Sequence, residues 1–313
     1  MRVTLLHNPK AGGGKPSKDE LLTMLRDAGH KPVYKSTKDD DDDWKSALKD
    51  PGDLVVAAGG DGTVCKVAKR LVGRGVLIAV LPFGTANNIS KTLGITGSTE
   101  QLIAGWTASS RRKKIDVGVA RGPWGESLFL EGMGCGLFTR VMSALDAQKK
   151  RDPALFENTN DALALALRAL SEALSDYRSH DLKVTLDGED FSGRYLLLEA
   201  MNIKHVGPNL YLAPDADPGD GYLDFVFLTE DRREEFSSYI SHRLEGKQEA
   251  PNLPVRRGRH LQVDWEGIEI HFDDEIWPKK RRSRSAKGRP SAAIDVKLEG
   301  HALEFLVAGK DEE

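Results

Sequence analysis

The sequence DLVVAAGGDGT, residues 53–63, decides the fold of the first part of the chain. Its apolar run, 54–58, predicts a strand buried in a parallel sheet. The run ends in glycines, and a helical pattern follows from Val64 to Val72. This order brings bare backbone N–H groups up to a phosphate, because glycine has no Cβ to keep the phosphate away. We therefore expect Gly59, Gly60, Gly62 and Thr63 to contact phosphate groups.

Asp61 is the one charged residue inside this turn. A carboxylate beside phosphates repels them, unless a divalent cation lies between or the carboxylate takes a proton from the phosphate acceptor. Asp61 is therefore a candidate catalytic and phosphate-site residue. The alternative is an Asx turn in which Asp61 caps its own helix.

Strand, turn and helix recur on both sides of this unit, which predicts a doubly wound α/β nucleotide-binding domain over residues 1–114. In such a sheet, ligands bind at the carboxyl ends of the strands. The first loop is not a Walker A loop, because Pro9 stands where that motif needs glycine and Pro16 where it needs Ser or Thr. A phosphate-facing loop is favoured over a mobile surface loop. The other predicted strands of this domain are 2–7, 32–36 and 75–81. The loop 8–15 follows the first strand, Thr37 follows the second, and the loop 82–88 follows the third.

Composition limits the class of protein. A chain of 313 residues with 39% hydrophobic and 30% charged residues fits a globular protein of two domains. The net charge of −3 does not favour nucleic acid as a partner. Two distant cysteines, no apolar run near the roughly 18 residues of a membrane span, and no signal-peptide layout lead us to expect a cytoplasmic protein. The acidic run 39–43 could suggest a metal site, but a solvated helix cap is favoured.

After residues 111–114, which are all basic, the pattern changes to short β-rich runs with hairpin turns. It predicts a C-terminal antiparallel β-sandwich over residues 115–313, with one helix near 160–177. The last strand is free to return towards the first domain.

Six motifs resemble, in order, those of the diacylglycerol kinase catalytic-domain family, and most of all its soluble bacterial lipid kinases. They are NPKAGGGK (8–15), GGDGT (59–63), PFGTANN (82–88), IDVGVA (115–120), LAPDADPGDGYLDFVFL (212–228) and FDDEIWP (272–278). The resemblance implies transfer of the ATP γ-phosphate to the hydroxyl of diacylglycerol or a related lipid, with Mg²⁺, in phospholipid biosynthesis.

The resemblance also implies site residues. Asp61 would hold Mg²⁺ on the β and γ phosphate oxygens, and Glu275 would be the general base for the lipid hydroxyl. Glu189 is the alternative acid, because the sequence 187–189 matches the family's DGE motif letter by letter. The remaining nucleotide-binding candidates are Asn8, Thr37, Gly84, Thr85 and Asn87.

A third site is predicted from turn chemistry. Asp217 and Asp220, with the carbonyl of Tyr222, offer the oxygen ligands that a structural Mg²⁺ prefers. The alternative is an ordinary aspartate–glycine turn.

The expected partners are a membrane-resident lipid and an anionic membrane surface, with a homodimer left open. The basic segment 279–289, with Arg256, Arg257 and Arg259 before it, is the candidate docking surface, and a solvated loop is the alternative. Two other functions stay open: a soluble-metabolite kinase of the NAD kinase type, and a non-catalytic nucleotide- or lipid-binding regulator. The second is suggested by departures from the family pattern at Cys65, Lys66 and Asp274; Asn88, where Asp is common, is a further departure.

Overall fold

The chain folds into two compact units, one formed by Met1–Asp116 with the segment from Gly300, the other by Val117–Glu299. The computed structural model describes residues 1–14, 16–38, 43–107, 110–278 and 292–307. The predicted fold class, an α/β part and an antiparallel β-sandwich, is confirmed.

The first unit alternates strands and helices as predicted. In chain order its elements are β1 (Arg2–His7), α1 (Lys18–Asp27), β2 (Lys31–Ser36), α2 (Asp43–Ala47), β3 (Leu54–Gly59), α3 (Asp61–Ala68), β4 (Leu77–Pro82), α4 (Asn88–Thr92), α5 (Thr99–Ala104) and the start of β5 (Arg112–Gly122).

The strands of this unit form a parallel sheet in the order β2, β1, β3, β4. Residues 304–305, near the end of the chain, pair with β4 in the same direction. Apolar side chains on one face of β1 and β3 pack against α1 and α5 and form the core of the unit. Because the strands are parallel, their carboxyl ends lie at one edge of the sheet.

Two helix starts show how local sequence sets this unit. Ser17 and Glu20 form a reciprocal capping box, so α1 begins directly after Ser17. Asp43 begins α2 and pairs with Lys35 at 2.6 Å, while 39–42, the rest of the acidic run, lie outside the described residues.

Helix α3 begins earlier than predicted. Gly60 is extended (φ −88°, ψ −176°) and serves as the N-cap, so Asp61 is already the first helical residue rather than part of a turn before Val64. The low helix propensity of Asp, Gly and Thr hides this first turn from sequence reasoning. An acid in the first turn is favourable because the helix dipole is positive there.

The second unit has more helix than predicted. Its elements continue through β6 (Gly125–Phe129), β7 (Gly132–Gly136), α6 (Leu137–Arg151), α7 (Thr159–Asp176), β8 (His180–Leu186), β9 (Glu189–Asp190), β10 (Gly193–Met201), β11 (His205–Val206), β12 (Leu210–Tyr211), β13 (Leu223–Thr229), α8 (Arg233–Leu244), β14 (Val255–Gly258), β15 (Leu261–Trp265), β16 (Ile270–Phe272), β17 (Glu275–Trp277) and the first part of β18 (Ala292–Leu306), which continues into the first unit from Gly300.

The expectation of one helix was wrong, because α6 and α8 accompany the predicted α7. One layer of antiparallel strands is built on β10, between β7 and β13, and the other on β15, between β8 and β18. One apolar core fills the sandwich, and a second lies where the three helices cover β10 and β13. These helices cover the face of β10 that the sandwich leaves open, so β10 is buried on both faces.

Two expectations drawn from composition can be compared with the structure. Cys65 and Cys135 are both buried, and neither takes part in a disulfide. Among the described residues, no helix combines the length and the apolar character that crossing a bilayer requires.

Candidate active site

Four loops meet at the carboxyl edge of the parallel sheet in the first unit. Backbone hydrogen bonds join each loop to a neighbouring strand end: Asn8 N to Ala58 O (2.8 Å), Thr37 N to His7 O (2.8 Å) and Phe83 N to Gly59 O (2.9 Å). The edge therefore brings together the glycine loop after β1, Thr37, the β3–α3 junction and the β4–α4 loop, as the sequence predicts.

Glycine is required at the contact between two of these loops. A Cβ placed on Gly84 would lie 2.3 Å from the Gly60 Cα, and one placed on Gly60 would lie 2.8 Å from the Gly84 Cα. Real Cβ atoms do not approach so closely, so both residues must be bare. The contact joins two glycine turns at the sheet edge, and glycine turns offer the bare backbone N–H groups that a phosphate cradle needs.

The Asp61 carboxylate joins the same two loops. Its Oδ1 atom accepts a hydrogen bond of 3.0 Å from the Ile89 N–H at the start of α4. Burial raises the pKa of Asp61, although backbone N–H groups at 87–89 act in the opposite direction. The side chain thus reaches across to the β4–α4 loop and does not only cap its own helix. Its role as a metal ligand stays a prediction.

Three predicted nucleotide-binding side chains shape their own loops. Asn87 takes a left-handed conformation (φ 53°). Its side-chain Oδ1 accepts a hydrogen bond from the Gly84 N–H, and its Nδ2 donates one to the Gly84 carbonyl, both at 2.9 Å. The buried Thr37 hydroxyl donates to the His7 carbonyl (3.3 Å), and Asn8 Oδ1 accepts from the Lys10 N–H (3.2 Å).

Thr85 is exposed on the β4–α4 loop, and Lys15 of the first loop lies outside the described residues. Two of the family departures lie on α3, with Cys65 buried and Lys66 exposed, while Asn88 is buried at the start of α4.

His7 lies beneath this edge, and sequence reasoning missed it. The ring packs edge-on against Tyr34 and Phe83, with Nδ1 3.3 Å from the Tyr34 hydroxyl. Burial lowers its pKa, which favours the neutral ring, and Nε2 has no hydrogen-bond partner in the described part of the chain. The only clue in the sequence is a histidine at the end of a buried strand, directly before the Asn-Pro pair of the first loop.

In the second unit, the candidate base lies on the hairpin between β16 and β17. Glu275 is exposed at the first position of β17, and the preceding turn is fixed by Asp273. The Asp273 carboxylate accepts backbone N–H groups from Leu130 (3.0 Å) and Glu131 (2.8 Å). Asp273 takes the positive φ of 52°, and Asp274 does not, so the turn needs no glycine at position 274. The departure from the family's glycine is therefore accommodated without strain.

The alternative acid lies on a similar turn. Asp187 (φ 50°) accepts N–H groups from Arg259 (3.1 Å) and His260 (2.9 Å), which ties the β8–β9 hairpin to the start of β15. Glu189 is exposed on β9, beside this tie. The aspartate of the sequence 187–189 therefore has a structural role, because it holds the hairpin turn against the chain before β15.

The predicted structural metal ligands lie on one turn before β13. Asp220 forms an ion pair with Arg257 and accepts the Tyr222 N–H at 2.9 Å, and Asp217 accepts the Gly219 N–H at 3.0 Å. Within the part of the chain that the structure describes, no three His, Cys, Asp or Glu side chains gather to hold a metal. The metal site stays a prediction, and a metal there would compete with the guanidinium group.

Two basic side chains border this turn. The Arg257 and Arg259 guanidinium groups lie over the Tyr222 ring, 4.5 and 4.3 Å from its centroid. Arg256 is exposed on β14. The basic segment 279–289, predicted to dock on membranes, lies outside the described residues.

Comparisons with known proteins agree with both halves of the chain. The family model described as the diacylglycerol kinase catalytic domain matches residues 2–120, and that described as the YegS C-terminal NAD kinase beta sandwich-like domain matches residues 139–290. A curated diacylglycerol kinase of Bacillus subtilis is 26% identical over 253 residues, which cover 79% of this chain and 80% of the relative. A "Probable lipid kinase YegS-like" of Pseudomonas aeruginosa is 28% identical over 284 residues, 87% of each chain.

A solved structure shares the fold. The crystal structure of a diacylglycerol kinase from Bacillus anthracis superposes with a TM-score of 0.69 at 21% identity, covering 98% of this chain and 96% of that one.

The Gly60–Gly84 contact predicts a steric result. Gly84→Ala should lower the free energy of unfolding in urea by about 1–3 kcal/mol, because the new methyl group is forced against the Gly60 backbone. Gly300→Ala in the same unit is the matched control, since a Cβ there would lie 3.8 Å from its nearest neighbour, Asp116 Oδ1. Equal stability of the two variants would contradict the close approach.

The Asp220–Arg257 ion pair predicts that removing divalent cations leaves the Tm unchanged, because a guanidinium already neutralises the carboxylate. Arg257→Gln should lower the Tm in EDTA by about 2–4 °C, the shift that about 1 kcal/mol causes in a domain of this size. Thermal melts with EDTA and with MgCl₂ measure both. A wild-type Tm that falls in EDTA would instead support the predicted structural metal.

Proposed function

The chain belongs to the diacylglycerol kinase catalytic-domain family and is a lipid kinase, and from this premise we propose that it transfers the γ-phosphate of ATP, with Mg²⁺, to the hydroxyl of diacylglycerol or a related lipid. Phosphoryl transfer needs charge neutralisation on the phosphates and an oriented acceptor hydroxyl. The residues described above supply candidates for each task.

The close contact of Gly60 and Gly84 is the observation that carries this proposal. It brings two glycine turns together at the N-terminus of α3, where N–H groups and the helix dipole favour an anion. The Thr63 N–H donates to Gly60 O at 2.8 Å and so closes the helix turn. We therefore assign phosphate binding to the backbone of residues 59–62, with Thr85 on the facing loop, because the Gly84 N–H already donates to Asn87 Oδ1 at 2.9 Å.

Asp61 is the proposed protein ligand for magnesium. Mg²⁺ in kinases is held by one or two carboxylates together with phosphate oxygens and water, so a single aspartate fits the chemistry. The ion, when bound, neutralises charge on the phosphate oxygens. Asp61 would perform this task while keeping its hydrogen bond from the Ile89 N–H, so the metal ligand and the tie between the loops would be one side chain.

Glu275 is the proposed general base. Its task is to accept the proton of the lipid hydroxyl as that oxygen attacks the γ-phosphorus, which requires a carboxylate held in a fixed direction. The Asp273 clamp on the preceding turn supports this assignment, because it fixes the backbone from which Glu275 projects.

The acceptor is proposed to be a lipid and not NAD, since the matched relatives carry the names diacylglycerol kinase and lipid kinase. The description of the second matched domain as NAD kinase-like concerns its β-sandwich. Incubation with labelled ATP and either NAD or a total lipid extract, followed by identification of the product, separates the two.

A lipid acceptor resides in a membrane, so we also propose docking on an anionic surface. Exposed Arg256 and Arg259, with the seven basic residues of segment 279–289, are the candidate contacts, each worth about 1 kcal/mol near such a surface. Binding to vesicles should rise with their anionic lipid content and fall with salt. Co-sedimentation of the protein with vesicles that changes with neither anionic lipid content nor salt would contradict docking by charge.

The catalytic assignments are tested with two isosteric variants. Asp61→Asn keeps an oxygen for the Ile89 N–H but loses the charge, so turnover should fall about a hundredfold or more with the fold intact. Glu275→Gln removes the base and should lower kcat by about 10²–10⁴. Transfer of labelled γ-phosphate to diacylglycerol in mixed micelles measures both.

Glu189→Gln is the matched control for the base, since Glu189 is also an exposed glutamate beside an aspartate-clamped turn. It should retain wild-type turnover. Full activity of Glu275→Gln with loss in Glu189→Gln would move the base to Glu189, and near wild-type turnover of Asp61→Asn would remove Asp61 from the metal site.

A further inference from the structure

A buried glutamate–histidine pair lies in the second unit, outside the residues assigned so far. Glu199 on β10 and His271 on β16 are 0% and 2% exposed, and Glu199 Oε2 lies 2.9 Å from His271 Nε2. The two strands are not neighbours, because β7 runs between them. Both residues pair in register with the same β7 residue, Gly134, and their side chains meet across it.

Gly134 makes this meeting sterically feasible. A Cβ placed on it would lie 2.0 Å from Glu199 Oε2, and a Cβ on Gly132 would lie 2.8 Å from Glu199 Oε1. The carboxylate therefore occupies the space that side chains of β7 would otherwise fill. Gly132 and Gly134 of the sequence GMGCG, residues 132–136, are explained by this side chain lying over them, whereas Gly136 takes a positive φ of 99°.

The histidine uses both ring nitrogens. Nδ1 lies 3.1 Å from the Asp273 carbonyl oxygen, which only accepts, so Nδ1 carries a hydrogen. Nε2 faces the Glu199 carboxylate. Burial alone would lower the pKa of His271, but Glu199 and Asp273 raise it overall, which favours the doubly protonated ring. The Cys135 thiol on β7, with a pKa raised to about 12 by burial, stays neutral beside the pair.

The pair acts on the turn that carries Glu275. His271 holds the carbonyl of Asp273, while the Asp273 carboxylate holds the amides of 130–132 and the Asp273 N–H donates to Gly132 O at 2.9 Å. All three polar groups of Asp273 are thus fixed, two residues before Glu275. Orienting the peptide groups of this turn orients the strand start from which the glutamate projects.

Stability alone is a weak explanation for such a pair. Taking two charges out of water costs free energy that their attraction only partly returns, and apolar side chains of similar volume often serve as well. A pair that hydrogen-bonds one backbone carbonyl, two residues before a candidate base, is better explained by a role in orienting that turn.

We propose that His271, held by Glu199, is a positioning residue that sets the direction of Glu275 for proton transfer from the acceptor hydroxyl. The inference deepens the proposed function and rests on Glu275 being the base. It assigns the task to one hydrogen bond, from His271 Nδ1 to the Asp273 carbonyl, and gives Glu199 the task of keeping the ring protonated and aimed.

Two double variants separate that hydrogen bond from the pair itself. The side-chain amide of Asn places its nitrogen near the position of His Nδ1, and that of Gln near Nε2. In a Glu199→Gln background, which removes the buried charge, His271→Asn keeps the bond to the Asp273 carbonyl. His271→Gln in the same background keeps the bond to residue 199 and loses the one to the turn.

The Asn double variant should retain kcat within about threefold of wild type, whereas the Gln double variant should lose about ten- to a hundredfold, the effect of a small misplacement of a catalytic group. The KM for ATP should be unchanged in both. Amide hydrogen exchange at 130–132 should quicken only in the Gln double variant, and thermal melts report whether both fold. Equal losses of kcat, or equal exchange, would overturn the proposal.

Glu275→Gln, measured beside them, separates this inference from the proposed function. If that variant keeps full activity, or if wild type phosphorylates no lipid, the proposed function fails. Amide exchange that is faster only in the Gln double variant would then still support the hydrogen bond from His271 to the turn. If Glu275→Gln is inactive and the two double variants are alike, only the positioning role of His271 is lost.

Discussion

The contact between the β3–α3 junction and the β4–α4 loop is the constraint on which the first unit's candidate site depends. Steric exclusion at Gly60 and Gly84 and the hydrogen bond from the Ile89 N–H to Asp61 act on the same pair of loops. Glycine loops lose much conformational entropy when they are ordered. Here that cost is offset by strand pairing on one side and a half-buried carboxylate on the other, so the backbone amides can be fixed before any ligand arrives.

The same device recurs in the second unit. Asp187 and Asp273 each take a positive φ in a hairpin turn, and each accepts backbone N–H groups from a segment distant in sequence. A carboxylate is well suited to this use, because it accepts several N–H groups that would otherwise be buried without partners. Glu275 and Glu189 follow these two clamps, which explains why their short sequences resemble each other while their surroundings differ.

Sequence reasoning found what depends on local pattern and missed what depends on register. The parallel strands, the glycine loops at their carboxyl ends and the capped helix α1 follow from periodicity and turn chemistry. The early start of α3 was hidden by residues of low helix propensity. The Glu199–His271 pair could not be predicted from the sequence, because it depends on the register of three strands. Glu199 and His271, which are distant in sequence, both pair with Gly134. The Asp220–Arg257 pair likewise requires the pairing of β13 with β14.

The electrostatics of Asp61 link loop order to ligand binding under the proposed function. Burial raises the pKa of this carboxyl because its charged form is poorly solvated, while the Ile89 N–H favours the charged form. A cation beside it would favour the charged form further, and a fully charged carboxylate accepts a stronger hydrogen bond. Under the proposed function, cation binding would therefore favour the charged form of Asp61 that accepts the Ile89 N–H. An aspartate serves both purposes at this position, whereas an asparagine would preserve only the tie.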